Sequence, residues 1–180
     1  MVNNASNNFP INGFGYKIFL IGFMGSGKTH WGRIWASSAG IDFYDLDELI
    51  EEKEGRSISA IFEGSGEDHF RDIEASLLRS FSEKENFLLA CGGGAPCFRD
   101  NMPWMNEHGT TLYLCASPRQ IFEQVVHEMD KRPLLQDVKQ EELLTFIEQK
   151  LKDREPFYEQ ARYKLQADSL NSNSLKTIDV

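Results

Sequence analysis

The chain lacks any apolar run long enough to cross a bilayer. A transmembrane helix needs roughly 20 apolar residues, whereas the longest candidate in this sequence is the short stretch over residues 18–24. The first twelve residues are polar and rich in Asn, without the basic start and apolar core of a secretory signal. We therefore expect a cytoplasmic protein with no membrane partner, and a flexible tail over residues 1–14.

Cysteine and positive charge are also scarce. Cys91, Cys97 and Cys115 are an odd number of thiols, and their spacing is typical of neither a disulfide framework nor a zinc site. A formal net charge of −9 disfavours nucleic acid as a partner, because a phosphate backbone selects basic surfaces. Any anionic ligand must then be held by a local basic pocket.

The 180 residues contain no internal repeat and no linker rich in Pro, Gly and Ser, so residues 15–180 are expected to form a single domain. Within it, β-rich apolar runs alternate with stretches patterned as helices. The predicted strands cover 16–21, 41–44, 86–91, 110–115 and 163–166. The predicted helices cover 28–38, 47–54, 67–81, 118–129 and 141–161. This alternation predicts an α/β fold with a parallel sheet covered by helices.

The strongest motif is Gly22, four residues, then Gly27-Lys28-Thr29, directly after the first predicted strand and at the start of the first predicted helix. Glycines let backbone N–H groups face phosphate oxygens, and Lys28 adds a positive charge at the β- and γ-phosphates. The Thr29 hydroxyl can bind Mg²⁺ directly. A glycine-rich turn with a chance lysine is the alternative, which the strand–loop–helix setting disfavours. The predicted nucleotide-binding residues of this loop are Gly25, Ser26, Gly27, Lys28 and Thr29.

A P-loop in this position makes the predicted fold more specific. We expect a P-loop NTPase of the nucleoside monophosphate kinase-like type, a three-layer sandwich around a central five-stranded parallel sheet. Ligands of open α/β sheets bind beyond the carboxyl ends of the strands. The phosphate acceptor must therefore be sought at the same edge of the sheet as the P-loop.

Two carboxylates, Asp45 and Asp47, follow the second predicted strand. Asp47 could simply be the N-cap of the next helix, whose acidic first turns favour the helix dipole. In the functional interpretation, Asp45 contacts Mg²⁺ through water, while Asp47 either hydrogen-bonds or also deprotonates an acceptor hydroxyl. Both interpretations stay open from the sequence.

A triple glycine, Gly92, Gly93 and Gly94, follows the third predicted strand. Without side chains, this backbone could lie directly against a small ligand. A plain turn is the alternative.

Three arginines are candidates for binding anions. Arg71 lies in an amphipathic segment and, taken alone, is typical of a surface residue paired with Glu67 or Glu74 at helical spacing. Arg132 lies in the irregular stretch between two predicted helices, and Arg154 lies late in the last one. Each of these two could be merely solvated.

Taken together, these residues resemble the shikimate kinase family. The resemblance covers about residues 17–163, and five clusters beyond the P-loop occur in the expected order. Those clusters are Asp45 with Asp47, residues 61–71, the triple glycine, the Arg-Pro-Leu-Leu of residues 132–135, and the grouping of Arg154, Pro156 and Tyr158.

The resemblance implies transfer of the γ-phosphate of ATP to the 3-hydroxyl of shikimate, a step toward chorismate and the aromatic amino acids. It also implies Mg²⁺ as cofactor and a monomeric enzyme. A helical segment over about residues 45–75 binds the substrate, and a mobile lid covers about residues 129–141. A small carboxylate substrate suits Arg forks, and lid closure excludes water from the phosphates.

The resemblance also implies the roles of individual residues. The residues implied in catalysis are Lys28, Asp47 and Arg132, of which Arg132 belongs to the lid and also contacts the nucleotide. The residues implied in shikimate binding are Asp47, Arg71, Gly92, Gly93, Gly94 and Arg154. Cations around the transferring group fit a loose phosphoryl-transfer transition state.

The sequence departs from the family pattern in two places, the first predicted helix and the C-terminal end of the chain. His30, Trp31 and Trp35 occupy the helix, and we expect His30 to pack near the helix start rather than to act as an acid or base. The tail after Ser169 is short and polar, so the last helix of the family and its adenine contacts are expected to be trimmed.

Two other functions stay open. A related small-molecule kinase, acting on gluconate or a nucleoside monophosphate, would keep the P-loop but replace the aspartates and arginines. A nucleotide-binding regulatory module would switch conformation without phosphorylating a metabolite, although the short chain argues against it. ATP consumption that requires shikimate would separate all three.

Overall fold

The computed structural model describes residues 16–129, 133–135 and 137–178. Five strands form one parallel sheet in the order β2-β3-β1-β4-β5. They are β1 (Lys17–Ile21), β2 (Asp42–Asp45), β3 (Phe87–Ala90), β4 (Thr110–Cys115) and β5 (Tyr163–Gln166). The predicted five-stranded parallel sheet is confirmed, and every strand end lies within one residue of its predicted position. The predicted tail over residues 1–14 and the lid residues 130–132 and 136 lie outside the described residues.

Helices connect the strands. They are α1 (Lys28–Ala39), α2 (Leu46–Glu54), α3 (Ile58–Arg79), α4 (Asn101–His108), α5 (Pro118–Val125) and α6 (Leu143–Tyr158). Short 3-10 turns cover Ala95–Cys97, Pro133–Leu135, Gln140–Glu142 and Ser174–Thr177. Of these helices, α4 was not predicted. Its short sequence carries Pro103 in the first turn, a place where a helix tolerates proline.

The helix predicted over residues 67–81 begins earlier than expected. Ser57 caps α3 by accepting a hydrogen bond from the Ala60 N–H at 3.3 Å. The helix then continues through Gly64 and kinks at Gly66, where φ is 81° and ψ is 169°. The glycines therefore bend a long helix rather than separate it from a loop, which turns its second half toward the end of β3.

Alternating residues of β1 divide the core into two parts. Phe19 and Ile21 pack into the larger core with residues of α2 to α6, whereas Ile18 and Leu20 pack with residues of α1. This alternation is the period of a strand that is covered on both faces. The sheet is thus the middle layer of three, as predicted.

The C-terminal segment contributes to the smaller core. The Trp35 indole N–H donates to the Asn171 carbonyl oxygen at 2.9 Å, and Leu175 is buried against the α1 face of the sheet. Only a 3-10 turn is found in residues 167–178, so the expectation of a trimmed last helix holds there. Although this tail is polar in composition, its Leu175 and Ile178 are buried. Of the helices described, none combines the length and apolar composition of a membrane span.

Candidate active site

The P-loop joins β1 to α1 and leaves the helix N-terminus open. Gly25 and Gly27 have φ values of 75° and 90°, which side-chain-bearing residues rarely adopt. No side chain caps α1, so its first N–H groups are available to an anion. The Lys28 ammonium folds over the loop and donates to the carbonyl oxygens of Gly22 at 2.8 Å and Phe23 at 2.9 Å. A positive charge and open backbone donors therefore meet at one place.

The side-chain oxygens of Thr29 and Asp45 lie together beside this loop. The Thr29 hydroxyl donates to Asp45 Oδ2 at 2.7 Å, and Asp45 Oδ1 accepts the Asp47 N–H at 3.1 Å. Asp45 is thus the N-cap of α2, and the alternative that Asp47 is this cap is wrong. A hydroxyl and a carboxylate are the hard oxygen donors that suit Mg²⁺, which usually binds one or two carboxylates together with phosphates. These residues fit that ion.

Asp47 projects from the first turn of α2 toward the triple glycine. A Cβ built on Gly92 would lie 2.8 Å from Asp47 Oδ1, so the carboxylate rests almost against bare backbone. Burial, together with the charge of Asp45, raises the pKa of Asp47 to about 6 against the opposing charges of Lys28 and Arg71. Near pH 7 this carboxyl group is mostly ionised and its pKa is close to the ambient pH, which suits proton acceptance.

Arg71 is buried on the second half of α3, only 3% exposed. Its guanidinium donates to Glu74 at 2.8 Å and to Glu67 at 2.9 Å, and it lies 4.2 Å above the Phe98 ring. The two predicted carboxylate partners are confirmed, but the surface location is wrong. A Cβ on Gly94 would come within 2.6 Å of Arg71 Nη2, so glycine is what makes room for this cation.

Glu74 is a site residue that sequence reasoning missed. It is fully buried, and its Oε1 has no hydrogen-bond partner within the described part of the chain. Burial raises the pKa of Glu74 to about 7, against the opposing effect of Arg71. A Cβ on Gly92 would lie 3.1 Å from this free oxygen. The only signal in the sequence was the three-residue spacing from Arg71, which is equally typical of a surface ion pair.

Arg154 approaches the triple glycine from α6. It is 9% exposed, and its guanidinium lies 5.3 Å from the centre of the Phe23 ring. None of the ion pairs found among residues 16–129, 133–135 and 137–178 includes Arg154. The Tyr158 hydroxyl, one helical turn away, donates to the Gly93 carbonyl oxygen and ties α6 to this loop. A nearly buried cation without a charged partner is suited to an anionic ligand.

Two cavities meet at these residues. The P-loop cavity, of about 370 Å³, includes Lys28, Thr29 and Asp45 in its lining. The inner cavity, of about 230 Å³, lies beyond it, between α2, α3 and α6. Four residues line both cavities: Met24, Asp47, Gly92 and Gly93.

The inner cavity gathers all six of the predicted acceptor-binding residues. It is lined by Met24, Asp47, Glu51, Ser57, Ile58, Ser59, Phe62, Phe70, Arg71, Glu74, Gly92, Gly93, Gly94, Leu134 and Arg154. The structure thus brings together Asp47, Arg71 and Arg154 from three different helices. Arg132 lies outside the described residues, although Leu134, two positions further, lines the cavity.

This arrangement defines the class of protein. A parallel sheet carries a P-loop at the carboxyl end of its central strand, and a second cavity with cations faces the loop across a shared carboxylate. These are the features of a P-loop kinase that phosphorylates a small molecule.

Comparison with known proteins gives the family. The shikimate kinase family profile matches residues 24–178. A shikimate kinase of Bacteroides fragilis is 44% identical over 158 residues, covering 88% of each chain. The structure of shikimate kinase from Bacteroides thetaiotaomicron superposes with a TM-score of 0.81 at 42% identity, covering 87% of this chain and 89% of that one. The structure of shikimate kinase from Acinetobacter baumannii in complex with shikimate superposes with a TM-score of 0.79 at 34% identity, covering 89% of this chain and 88% of that one.

The chain belongs to the shikimate kinase family, a family of ATP-dependent kinases. The predicted resemblance is confirmed, and the two alternatives, a kinase of another family and a regulatory module, lose their support.

Proposed function

We propose that this chain transfers the γ-phosphate of ATP to the 3-hydroxyl of shikimate, giving shikimate 3-phosphate and ADP. The observation that carries the proposal is the shared wall between the two cavities, which places Asp47 between Lys28 and the buried arginines. The names of the relatives support shikimate as the acceptor, and so does the relative that is described in complex with shikimate.

The inner cavity would bind the acceptor through its cations. Arg71 and Arg154 both lie beside the triple glycine, and a guanidinium matches a carboxylate with two parallel hydrogen bonds. The backbone of Gly92, Gly93 and Gly94 carries no side chains, so a ring can lie close to it. A Cβ at Gly92 would collide with Asp47, and one at Gly94 would collide with Arg71. A compact hydroxy acid fits this set of groups.

Asp47 would orient the acceptor hydroxyl and accept its proton. Its carboxylate lies in the wall that both cavities share, so it can reach a hydroxyl presented from the inner cavity. With a pKa of about 6, it is mostly ionised at neutral pH and still basic enough to take a proton as the oxygen attacks phosphorus.

Lys28 would stabilise the charge of the transferring phosphoryl group. Its ammonium now binds the Gly22 and Phe23 carbonyl oxygens, and a nucleotide phosphate would compete for it. The backbone N–H groups of Gly25, Ser26 and Gly27 would hold the remaining phosphate oxygens.

Mg²⁺ would be held by Thr29 directly and by Asp45 through water. When bound, it neutralises charge on the β- and γ-phosphates. The present hydrogen bond between these two side chains already brings both oxygens to one point. We further propose that Arg132 adds a second positive charge at the phosphates and belongs to a lid over about residues 129–141 that covers them. The segment over about residues 45–75 is the proposed acceptor-binding part of the single domain.

A coupled assay of ADP release tests the function. Shikimate, gluconate and AMP are offered separately with Mg²⁺ and ATP, and a reaction without acceptor serves as the blank. We expect ADP release only with shikimate. Equal rates with gluconate or AMP, or a rate that does not depend on any acceptor, would overturn the proposal.

We extend the proposal to a monomer acting in the cytoplasm, where ATP is supplied. Size-exclusion chromatography measures the oligomeric state.

A further inference from the structure

A third cavity borders the P-loop on the side away from the acceptor. It has a volume of about 280 Å³, and its lining includes Gly25, Gly27, Trp31, Gln124 and Ala167. It shares Gly25, Gly27, His30 and Gln124 with the P-loop cavity. Within the described chain, no residue lines both this cavity and the inner cavity. The three cavities therefore form a row with the P-loop cavity in the middle.

This order gives a bound nucleotide its direction. The terminal phosphate must face the inner cavity, because the acceptor hydroxyl comes from there. The other end of the triphosphate then points toward the third cavity. The nucleoside is thus expected at the one aromatic residue of α1 that is both next to the P-loop and partly buried, Trp31.

Trp31 is held in place by its neighbours. Its ring stacks on Trp35 with a centroid separation of 5.8 Å and an interplanar angle of 25°. Trp35 is itself fully buried and anchored by the Asn171 carbonyl oxygen. The Trp31 ring also lies 3.2 Å from the position of a Cβ on Gly27, so the indole touches the edge of the phosphate loop. A rigid aromatic ring at this place needs no reordering to meet a ligand.

We propose that Trp31 is a specificity-determining residue for the nucleotide, and that its indole stacks on the nucleobase in the third cavity. The proposal rests on the proposed function, since it takes ATP as the phosphate donor. Every base offers a π-face to an aromatic side chain, and a purine presents a larger face than a pyrimidine. Trp31 therefore favours purine nucleotides. Trp31 is one of the residues at which the sequence departs from the family pattern, and base stacking would explain a tryptophan at this position.

The test compares two substitutions that both keep an apolar side chain. Trp31→Phe retains a ring for stacking, whereas Trp31→Leu fills the space without one. Binding of ADP, CDP and inorganic tripolyphosphate is measured by calorimetry on the full chain. We expect Trp31→Leu to weaken ADP binding at least about fivefold, while Trp31→Phe stays within about twofold of the wild type. Tripolyphosphate, which has no base, should bind all three proteins alike.

The results distinguish a failure of the stacking by Trp31 from a failure of the proposed function. Equal ADP affinity in the wild type and Trp31→Leu, with shikimate-dependent turnover intact, overturns the stacking and leaves the function standing. A wild type that binds no ADP overturns both. Should Trp31→Leu not fold, the wild type still decides, because stacking predicts tighter binding of ADP than CDP and quenching of indole fluorescence by ADP but not by tripolyphosphate. The absence of both differences overturns the inference.

Discussion

Replacing Gly94 by alanine would test whether the position of Arg71 controls acceptor binding. The backbone of Gly94 has φ −92° and ψ −18°, which alanine adopts without strain. The new methyl group would lie 2.6 Å from Arg71 Nη2 and 2.9 Å from Nη1. The substitution therefore acts on the end of one flexible side chain and leaves the backbone in place.

The structure gives the size of the displacement. Ordinary van der Waals contact begins at 3.4 Å, so the guanidinium must withdraw by about 0.8 Å, while Glu74 and the Phe98 ring hold it from the other sides. A misplacement of about 1 Å can cost about 10²-fold in rate. We expect kcat/KM for shikimate to fall by about ten- to a hundredfold. ADP affinity should be unchanged, because Gly94 does not line the P-loop cavity.

The assay is initial-rate kinetics with varied shikimate at saturating ATP, together with ADP binding. Gly64→Ala is the matched control, since Gly64 is an exposed helical glycine outside the inner cavity whose nearest neighbour is the flexible end of Arg56. We expect normal kinetics and a stability gain of up to about 1 kcal/mol for this control. A Gly94→Ala enzyme with the kcat/KM of the wild type would refute the role of Arg71.

Three further substitutions probe single groups. Lys28→Ala should abolish turnover with little change in Tm, and normal turnover would remove Lys28 from catalysis. Arg154→Lys keeps the charge but loses the fork, so the KM for shikimate should rise while ADP affinity stays; an unchanged KM contradicts the contact. Because burial raises the pKa of Asp47 from 3.8 to about 6, the folded chain holds this proton more tightly than the unfolded chain, and the unfolding free energy falls as pH rises through that window. Asp47→Asn should therefore be less active but more stable than the wild type at pH 8, by on the order of 1–3 kcal/mol, and equally stable near pH 4; a lower Tm at pH 8 would contradict this.

The sheet and the P-loop could be predicted because their signals are local. Each strand is a short β-rich run bounded by turn residues, and the phosphate loop is a continuous segment whose spacing carries its meaning. The same is true of the Thr29 and Asp45 pair, since Thr29 follows β1 and Asp45 ends β2 at the same edge of the sheet. Short-range pattern was sufficient for these features.

The surroundings of Arg71 could not be predicted, because they depend on tertiary packing. A cation with carboxylates three and four residues away is usually a solvated surface group. Here the kink at Gly66 turns the second half of α3 inward, and Gly94 leaves the space that the guanidinium fills. The buried state of Glu74 follows from the same packing, and its three-residue spacing from Arg71 is equally typical of a surface ion pair.

The N-cap of α2 shows a different limit. From the sequence only Asp47 was considered as the cap, because β2 was predicted to end at residue 44, one residue before its observed end. Because β2 extends to Asp45, this residue serves both as the cap and as the partner of Thr29. That leaves Asp47 without a capping task and free to face the acceptor.

The net charge of −9 describes the chain as a whole and does not decide whether one pocket can hold a small anion. The cations of this site are few and are held by partners that a ligand can replace or join. Lys28 rests on two carbonyl oxygens, and Arg154 lies over an aromatic ring. Such groups are screened little by solvent, so a handful of them outweighs a distant acidic surface at the range where a small anion binds. Local geometry rather than total charge therefore decides which anions this chain can hold.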